Sequence, residues 1–357
     1  MSDTYQKSLD ELLLLAVQKG ASDIHLSPGY YPTIRVDNLL VPLSDRPILD
    51  RTTLQGICSV LMGESRSHDF LEKKELDFSY QIGSGARFRV NVYLSKGTIA
   101  CVLRYVHESI RSIEELKLPQ QVRFFTKLSQ GFVLVAGPTG HGKSTTLSAL
   151  LNTINQERAE KIVTIEDPIE YLIPPERSII DQREIGDDTF SFANALRAAF
   201  REDVNVIMVG ELRDLATVSA AVTAAETGHL VFGSIHTNSA SQTVQRIIDM
   251  FPPNHQRQIV SQLADSLSGV ISQRLIPGLR GGLVPAVEVL VATAGVRNII
   301  RDGKFEQLNL AISTGLDSGM ISLNRSLAEL VRSQQISVEN AEFYSPYVTE
   351  LQSLLKG

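Results

Sequence analysis

The segment Gly137-Pro138-Thr139-Gly140-His141-Gly142-Lys143-Ser144 matches the pattern G-x-x-x-x-G-K-[ST], follows an apolar run at Phe132–Ala136 and opens helix-like text from Thr145. A strand before the pattern and a helix after it distinguish a phosphate-binding loop from an ordinary glycine-rich turn. The context also demands an α/β layout with the loop at the C-terminal edge of a parallel sheet. Glycines at 137, 140 and 142 let the backbone fold close to phosphates, so that successive N–H groups and the helix N-terminus face the anion. Lys143 brings a mobile charge to the β- and γ-phosphates, and the Ser144 hydroxyl suits Mg²⁺. The expected ligand is Mg-ATP, held by the run Gly137 to Thr145. His141 lies where its imidazole could approach the nucleotide, or face solvent.

Hydrolysis also needs a polarised water and a positioned metal, so acids are expected at the ends of neighbouring strands. Val206-Ile-Met-Val-Gly-Glu211 is an apolar strand ending in an acid, and Lys161-Ile-Val-Thr-Ile-Glu166-Asp167-Pro-Ile-Glu170 is a second. An isolated glutamate is more often a helix cap or half of a surface ion pair. Two such strands behind a phosphate loop point instead to a division of labour. Glu166 is expected to orient or deprotonate the attacking water, and Glu211 to support Mg²⁺ directly or through water. His229 and His236 bracket a further strand, Leu230–Ile235. Only His236 stands at its C-terminal end, where γ-phosphate-sensing groups sit in open sheets.

The 357 residues exceed one ordinary domain. Residues 1–108 read as a small α+β domain. Ser8 and Glu11 have capping-box spacing before a leucine run, with Gly20 placed as a C′ glycine, which predicts a helix from about Ser8 to Lys19. β-like text follows between Ile24 and Leu43 with a turn at Asp37-Asn38, then a helix around Thr52–Leu61. Three alternating strands in Leu76–Tyr105 are separated by turns at Gly83-Ser84-Gly85 and Lys96-Gly97. Residues 109–118 read as a linker. Residues 119–357 alternate strands at 132–136, 161–165, 204–209 and 230–235 with helices at Thr145–Asn155, Phe192–Phe200 and Ala216–Thr227. After Thr243 the text reads as largely helical, apart from a strand near Val284–Val291.

A net charge of −6 offers no global attraction for nucleic acid, and no nucleic-acid partner is expected. Cys58 and Cys101 alone cannot supply a four-ligand zinc site and suit a reducing compartment. The longest early apolar run, Leu12–Val17, is too short to span a bilayer and lacks the basic flank of a secretory signal, so no direct membrane insertion is expected.

Taken in order, the phosphate loop through Thr145, Thr164-Ile-Glu-Asp-Pro-Ile-Glu170, Leu196-Arg-Ala-Ala-Phe-Arg-Glu-Asp203, Val209-Gly-Glu-Leu-Arg-Asp214 and Thr227-Gly-His-Leu-Val-Phe-Gly-Ser-Ile-His-Thr237 resemble the secretion ATPase superfamily. Within it the chain is similar to type IV pilus retraction ATPases of the PilT type. The resemblance extends to Gly20–His25 and Pro32–Asp37 in front, and to Gln262–Arg274 and Val296–Lys304 behind, where an arginine-bearing motif is tied to retraction. It implies a RecA-like P-loop ATPase domain preceded by a small PAS-like domain, a helical C-terminal region and a homo-hexameric ring. ATP would lie between the two domains and be completed by Arg89 and Arg104. A cytoplasmic motor is implied, peripheral at the inner membrane through a pilus platform protein and driving twitching motility. Extension and type II secretion relatives usually carry a four-cysteine zinc module in the C-terminal half, and no cysteine follows Cys101. The alternatives are such an extension or secretion ATPase and, more distantly, a nucleic-acid translocase. The chain departs from the family's usual residues at His141, where serine is common, at Val204-Asn205 and at Leu212.

Overall fold

The alternation in Arg87–Tyr93 becomes a strand with Phe88, Val90 and Val92 fully buried and Arg87, Arg89 and Asn91 on the opposite face. The computed structural model describes residues 2–37, 39–83, 85–106 and 109–356. They divide into two compact units, Met1–Ser109 with Pro168–Leu172, and Ile110–Asp167 with Ile173–Gly357. The expected turns at Asp37-Asn38 and Gly83-Ser84-Gly85 include Asn38 and Ser84, which lie outside the described residues, as do His107 and Glu108 at the end of the expected first domain.

In the first unit, β1 (Asp23–Leu26), β2 (Thr33–Val36), β3 (Leu39–Pro42), β4 (Glu75–Gln81), β5 (Arg87–Ser95) and β6 (Thr98–Val106) form an antiparallel sheet in the order β3-β2-β1-β6-β5-β4. One face packs on α1 (Ser2–Gln18) and α2 (Arg51–Lys73), where Leu9, Leu13, Leu54 and Leu61 meet Phe88, Val90 and Leu103. Helix α1 starts six residues before the expected Ser8, so Ser8 is interior and caps nothing. The buried stripe Leu9, Leu12, Leu13 and Ala16 stabilises the helix through tertiary packing, which overrides a local start signal. The expected stop holds. Gly20 takes a φ of 67°, its N–H reaches Val17 O and the Ala21 N–H reaches Ala16 O, a Schellman arrangement. Helix α2 runs past the expected Leu61 to Lys73, with a kink at Gly63.

The second unit is built on β7 (Gly131–Ala136), β8 (Lys161–Glu166), β9 (Ile179–Glu184), β10 (Val206–Val209), β11 (Leu230–Ile235), β12 (Leu267–Pro277) and β13 (Leu283–Val291), in the order β13-β12-β7-β11-β10-β8-β9. All neighbours are parallel except β12 and β13. Every residue of β7, β10 and β11 is buried, as central parallel strands covered on both faces require. On one face α3 (Lys143–Glu157) sets Leu147, Leu150 and Ile154 against Val133, Val135 and Phe232. On the other, α4 (Phe192–Ala199), α5 (Leu215–Glu226), α6 (Ala240–Asp249) and α7 (Pro253–Ser266) pack on Leu134, Ile165 and Val209. Ile113 and Leu118, within the segment read as a linker, are buried in the core on the α3 side. Helices α8 (Ala294–Arg301), α9 (Gln307–Thr314), α10 (Leu323–Arg332), α11 (Val338–Tyr344) and α12 (Val348–Lys356) complete the chain.

The largely helical reading after Thr243 is corrected at β12, an eleven-residue strand beside β7. Helix α7 passes directly into it, Ser266 being followed by Leu267 with no intervening loop to mark the change of period. Gly269 marks the strand in retrospect. A Cβ there would stand 2.4 Å from the Phe125 ring and 2.5 Å from Leu290 O, the close approach for which strands use glycine. Strand β9 was also not anticipated. As an edge strand with half-exposed residues, it lacks the apolar run of its neighbours.

Candidate nucleotide site

Strand β7 delivers the chain into the phosphate loop, and the loop is pressed against the next strand. Gly137 has a φ of 151°, and a Cβ on it would lie 2.5 Å from Gln273 O in β12, so no side chain fits. Gly140 and Gly142 take φ values of 77° and 79°, and Gly142 immediately precedes α3. Such left-handed glycines are what a phosphate-binding loop needs to bring successive N–H groups and a helix start toward an anion.

Lys143 is buried, and its Nζ donates to Gly137 O at 2.9 Å and Pro138 O at 3.0 Å. It also stands 3.2 Å from His236 Nδ1, and Thr139 Oγ1 is 3.3 Å from the same nitrogen. An ammonium only donates, so Nδ1 serves as the acceptor and Nε2 carries the hydrogen. That Nε2 lies 3.1 Å from Glu211 Oε1, and Arg213 Nε lies 2.5 Å from the same oxygen. The structure therefore joins the expected Lys143, His236 and Glu211 into one chain across the C-terminal ends of β7, β11 and β10. Burial pushes the Glu211 carboxyl up, but the hydrogen bond and charge of Arg213, with the hydrogen bond from His236, outweigh it. The group is held below the usual glutamate range.

Glu166 ends β8, next to β10 in the sheet, and is buried. Its Oε1 accepts from Thr164 Oγ1 at 2.6 Å and from Gln182 Nε2 at 3.1 Å. Gln182 is in β9, and sequence reasoning missed it together with its strand. Arg89 and Arg104 belong to the first unit, opposite each other in the β5–β6 register. Arg104 Nε donates to the buried Asp23 at 2.8 Å, while Arg89 is 3.8 Å from Asp77. His229 packs instead on Phe200, edge to face, with Nδ1 3.0 Å from Ala224 O.

The donor set fits Mg²⁺. Among the described residues no group of three or more His, Cys, Asp or Glu could cage a metal ion. Magnesium is ordinarily bound through one or two protein ligands plus substrate phosphates and water. Ser144, in the first turn of α3, and Glu211, just after β10, are oxygen donors of the type expected for that role.

The loop containing His236 is anchored from behind. Ala240 N–H, the first of α6, donates to Glu288 Oε1 of β13 at 2.7 Å. Burial raises the Glu288 carboxyl against that hydrogen bond and the charge of Arg274. A raised folded-state pKa means that stability is lost as pH climbs above the unfolded carboxyl's range. Glu288→Gln keeps the acceptor without the charge. Its melting temperature is expected to exceed wild type by an increment that grows between pH 5 and pH 8, on the order of a few degrees at the upper end. Thermal melts at the two pH values check this, and an increment that shrinks toward pH 8 contradicts it.

The family model for "Type II/IV secretion system protein" matches residues 2–282. This chain belongs to the type II/IV secretion system protein family. Among the family's members it is 42% identical over 333 residues to the type IV pilus retraction ATPase PilT of Pseudomonas aeruginosa, covering 93% of this chain and 96% of that one. It is 44% identical over 296 residues to a twitching motility protein of Neisseria gonorrhoeae, covering 83% and 79%. A solved structure of the pilus retraction motor PilT with bound ADP superposes with a TM-score of 0.89 at 43% identity, covering 96% of this chain and 98% of that one. The α/β architecture is thus that of a secretion ATPase.

In this family member one further residue ties the phosphate loop to the sheet, while the arginine-bearing motif lies at the opposite end of β7, beside Gln130 and Gly131. Gln273 of β12 accepts from Thr146 Oγ1 at 2.7 Å and donates to His141 O at 2.8 Å, tying α3 and the loop to the strand. In the arginine-bearing motif, Arg297 donates to Ala264 O and Asp265 O at 2.7 and 2.5 Å, and Arg301 pairs with Asp265 at 2.6 Å. Both arginines fasten α8 to the carbonyl end of α7, where cations are favoured.

Proposed function

We propose that this secretion ATPase is a Mg-dependent, homo-hexameric motor that hydrolyses ATP to power retraction of type IV pili. The observation carrying this reading is the full-length likeness to a retraction motor with bound ADP, in a chain whose Lys143, His236 and Glu211 converge at the phosphate loop. Gly137 to Thr145 bind the nucleotide, Glu166 acts on the attacking water, and Ser144 and Glu211 hold the metal. A metal held by Ser144 and Glu211 would supply positive charge to offset that of the phosphates. His236 links the loop lysine to Glu211, so it responds to the group that Lys143 contacts. Arg89 and Arg104 offset charge on the transferred phosphoryl group in the assembled ring.

The first unit serves as a PAS-like domain and the second as the motor domain. Among the described residues no helix is long and apolar enough to cross a membrane. The motor works in the cytoplasm and reaches the inner membrane by docking on a pilus platform protein. The retraction reading is favoured over extension because the full-length relatives are named for retraction and twitching.

Lys143→Ala is expected to weaken ADP binding about a hundredfold, because removing the ammonium takes away a buried, charge-assisted contact to the phosphates. Isothermal calorimetry measures the loss. In cells deleted for this gene, the wild-type chain is expected to restore twitching and normal pilus number, while the Lys143→Ala chain leaves excess pili. Bald deletion cells would overturn retraction in favour of extension.

A further inference from the structure

Strands β7 and β12 run as a parallel ladder only as far as the pair Ser272 and Ala136. Beyond it β7 has turned away into the phosphate loop, yet β12 continues to Pro277. The N–H of Leu275 points to the side that β7 has left, and a half-buried amide without an acceptor costs as much as a lost hydrogen bond. The imidazole of His141 fills that place. Its Nδ1 accepts from Leu275 N at 2.9 Å, while its own carbonyl accepts from Gln273 Nε2 at 2.8 Å. A serine at this position would be too short to place an acceptor at the same distance from its backbone.

We propose that His141 is a positioning residue for nucleotide binding, its ring replacing the missing ladder carbonyl and locking the phosphate loop onto β12 through Leu275. This rests on the reading of the loop as the nucleotide site. Two consequences follow from the geometry. The lock acts through the loop's backbone and touches no reacting atom, so it favours bound nucleotide in ground and transition states alike. It also needs the Nδ1 lone pair, which an imidazolium lacks. Burial, with Arg274 of β12 and Lys143 of the loop facing the ring, holds His141 below the usual histidine range and so keeps that lone pair available at neutral pH.

The test compares His141→Asn, His141→Phe and His141→Ala in the full-length assembled protein. The Asn Oδ1 can occupy the position of Nδ1, whereas Phe keeps a ring without an acceptor and Ala keeps neither. Phe and Ala variants are expected to bind ADP roughly fivefold more weakly and to raise the KM for ATP by the same factor with kcat unchanged, the signature of uniform binding. Asn is expected to recover most of the loss. Hydrogen exchange read by mass spectrometry at the Leu275 amide supplies a second measurement, with protection lost in Phe and Ala and retained in Asn. Wild-type ADP affinity in the Phe variant overturns the proposal, as does an Asn variant as impaired as Ala. If wild type itself binds no ADP while Leu275 protection still follows the acceptor, the nucleotide reading fails and the proposal falls with it. If wild type binds and protection at Leu275 is indifferent to residue 141, the proposal alone fails.

Discussion

ATP turnover by the Glu166→Gln variant is expected to fall about a thousandfold, with ADP affinity within about threefold of wild type, the loss characteristic of a positioned general base. The two acids at the sheet edge are not equivalent in the structure. Glu211 is engaged by Arg213 and His236 and held below the usual glutamate range, which makes it a poor proton acceptor and a good anionic anchor. Glu166 is held at Oε1 by a threonine hydroxyl and a glutamine amide, both neutral. These two donors fix the orientation of its carboxylate. Single-turnover hydrolysis in assembled rings separates the two roles, because binding and product release drop out of the measured rate. Normal turnover in Glu166→Gln alongside none in Glu211→Gln would sink this assignment.

Most of the site was legible because its parts obey local rules. The apolar strands β7, β10 and β11 are buried on both faces, so they read as continuous apolar runs, and the residue or two after each was expected to carry the chemistry. Glu211 and His236 were found this way. What escaped was non-local. Gln182 and Gln273 have no distinctive neighbours in sequence, and both act across strand boundaries, on Glu166 and on the phosphate loop. Only the sheet order, with β12 beside β7 and β9 beside β8, places them. His141 could be read as a loop residue with an imidazole. Its contact with Leu275 depends on where the β7–β12 ladder ends. The early start of α1 has the same origin, since the core packing of Leu9 and Leu13 outweighs the Ser8–Glu11 capping signal.

The Arg104→Ala variant is expected to assemble and bind ADP but to hydrolyse ATP about a thousandfold more slowly, the lower end of what an arginine finger contributes. The structure gives this residue an unusual mounting. Arg89 and Arg104 stand directly opposite on one face of the first unit's sheet, where like charges repel. Each has an acid beside it, but the two anchors differ. Arg89 is 3.8 Å from a half-exposed Asp77, a weak tether. Asp23 is 7% exposed at its side chain and takes the Arg104 Nε at 2.8 Å, while the Arg104 side chain remains 69% exposed. Burial pushes the Asp23 carboxyl up, yet hydrogen bonds from Arg104 and Ser22 bring it below the usual aspartate range, so it is an anion. One edge of the guanidinium is thus fixed and its terminal nitrogens are presented outward, the preorganisation a charge-stabilising group requires. Asp23→Asn keeps the shape and removes the charge, and an intermediate loss of about tenfold is expected from the looser fork. Arg104→Lys is expected to rescue little, since an ammonium has neither the Nε for Asp23 nor the planar fork. Melting temperatures and ring mass must stay near wild type for these rates to count. If Arg104→Ala rings turn over ATP normally, Arg104 serves only as the counter-charge of a buried aspartate.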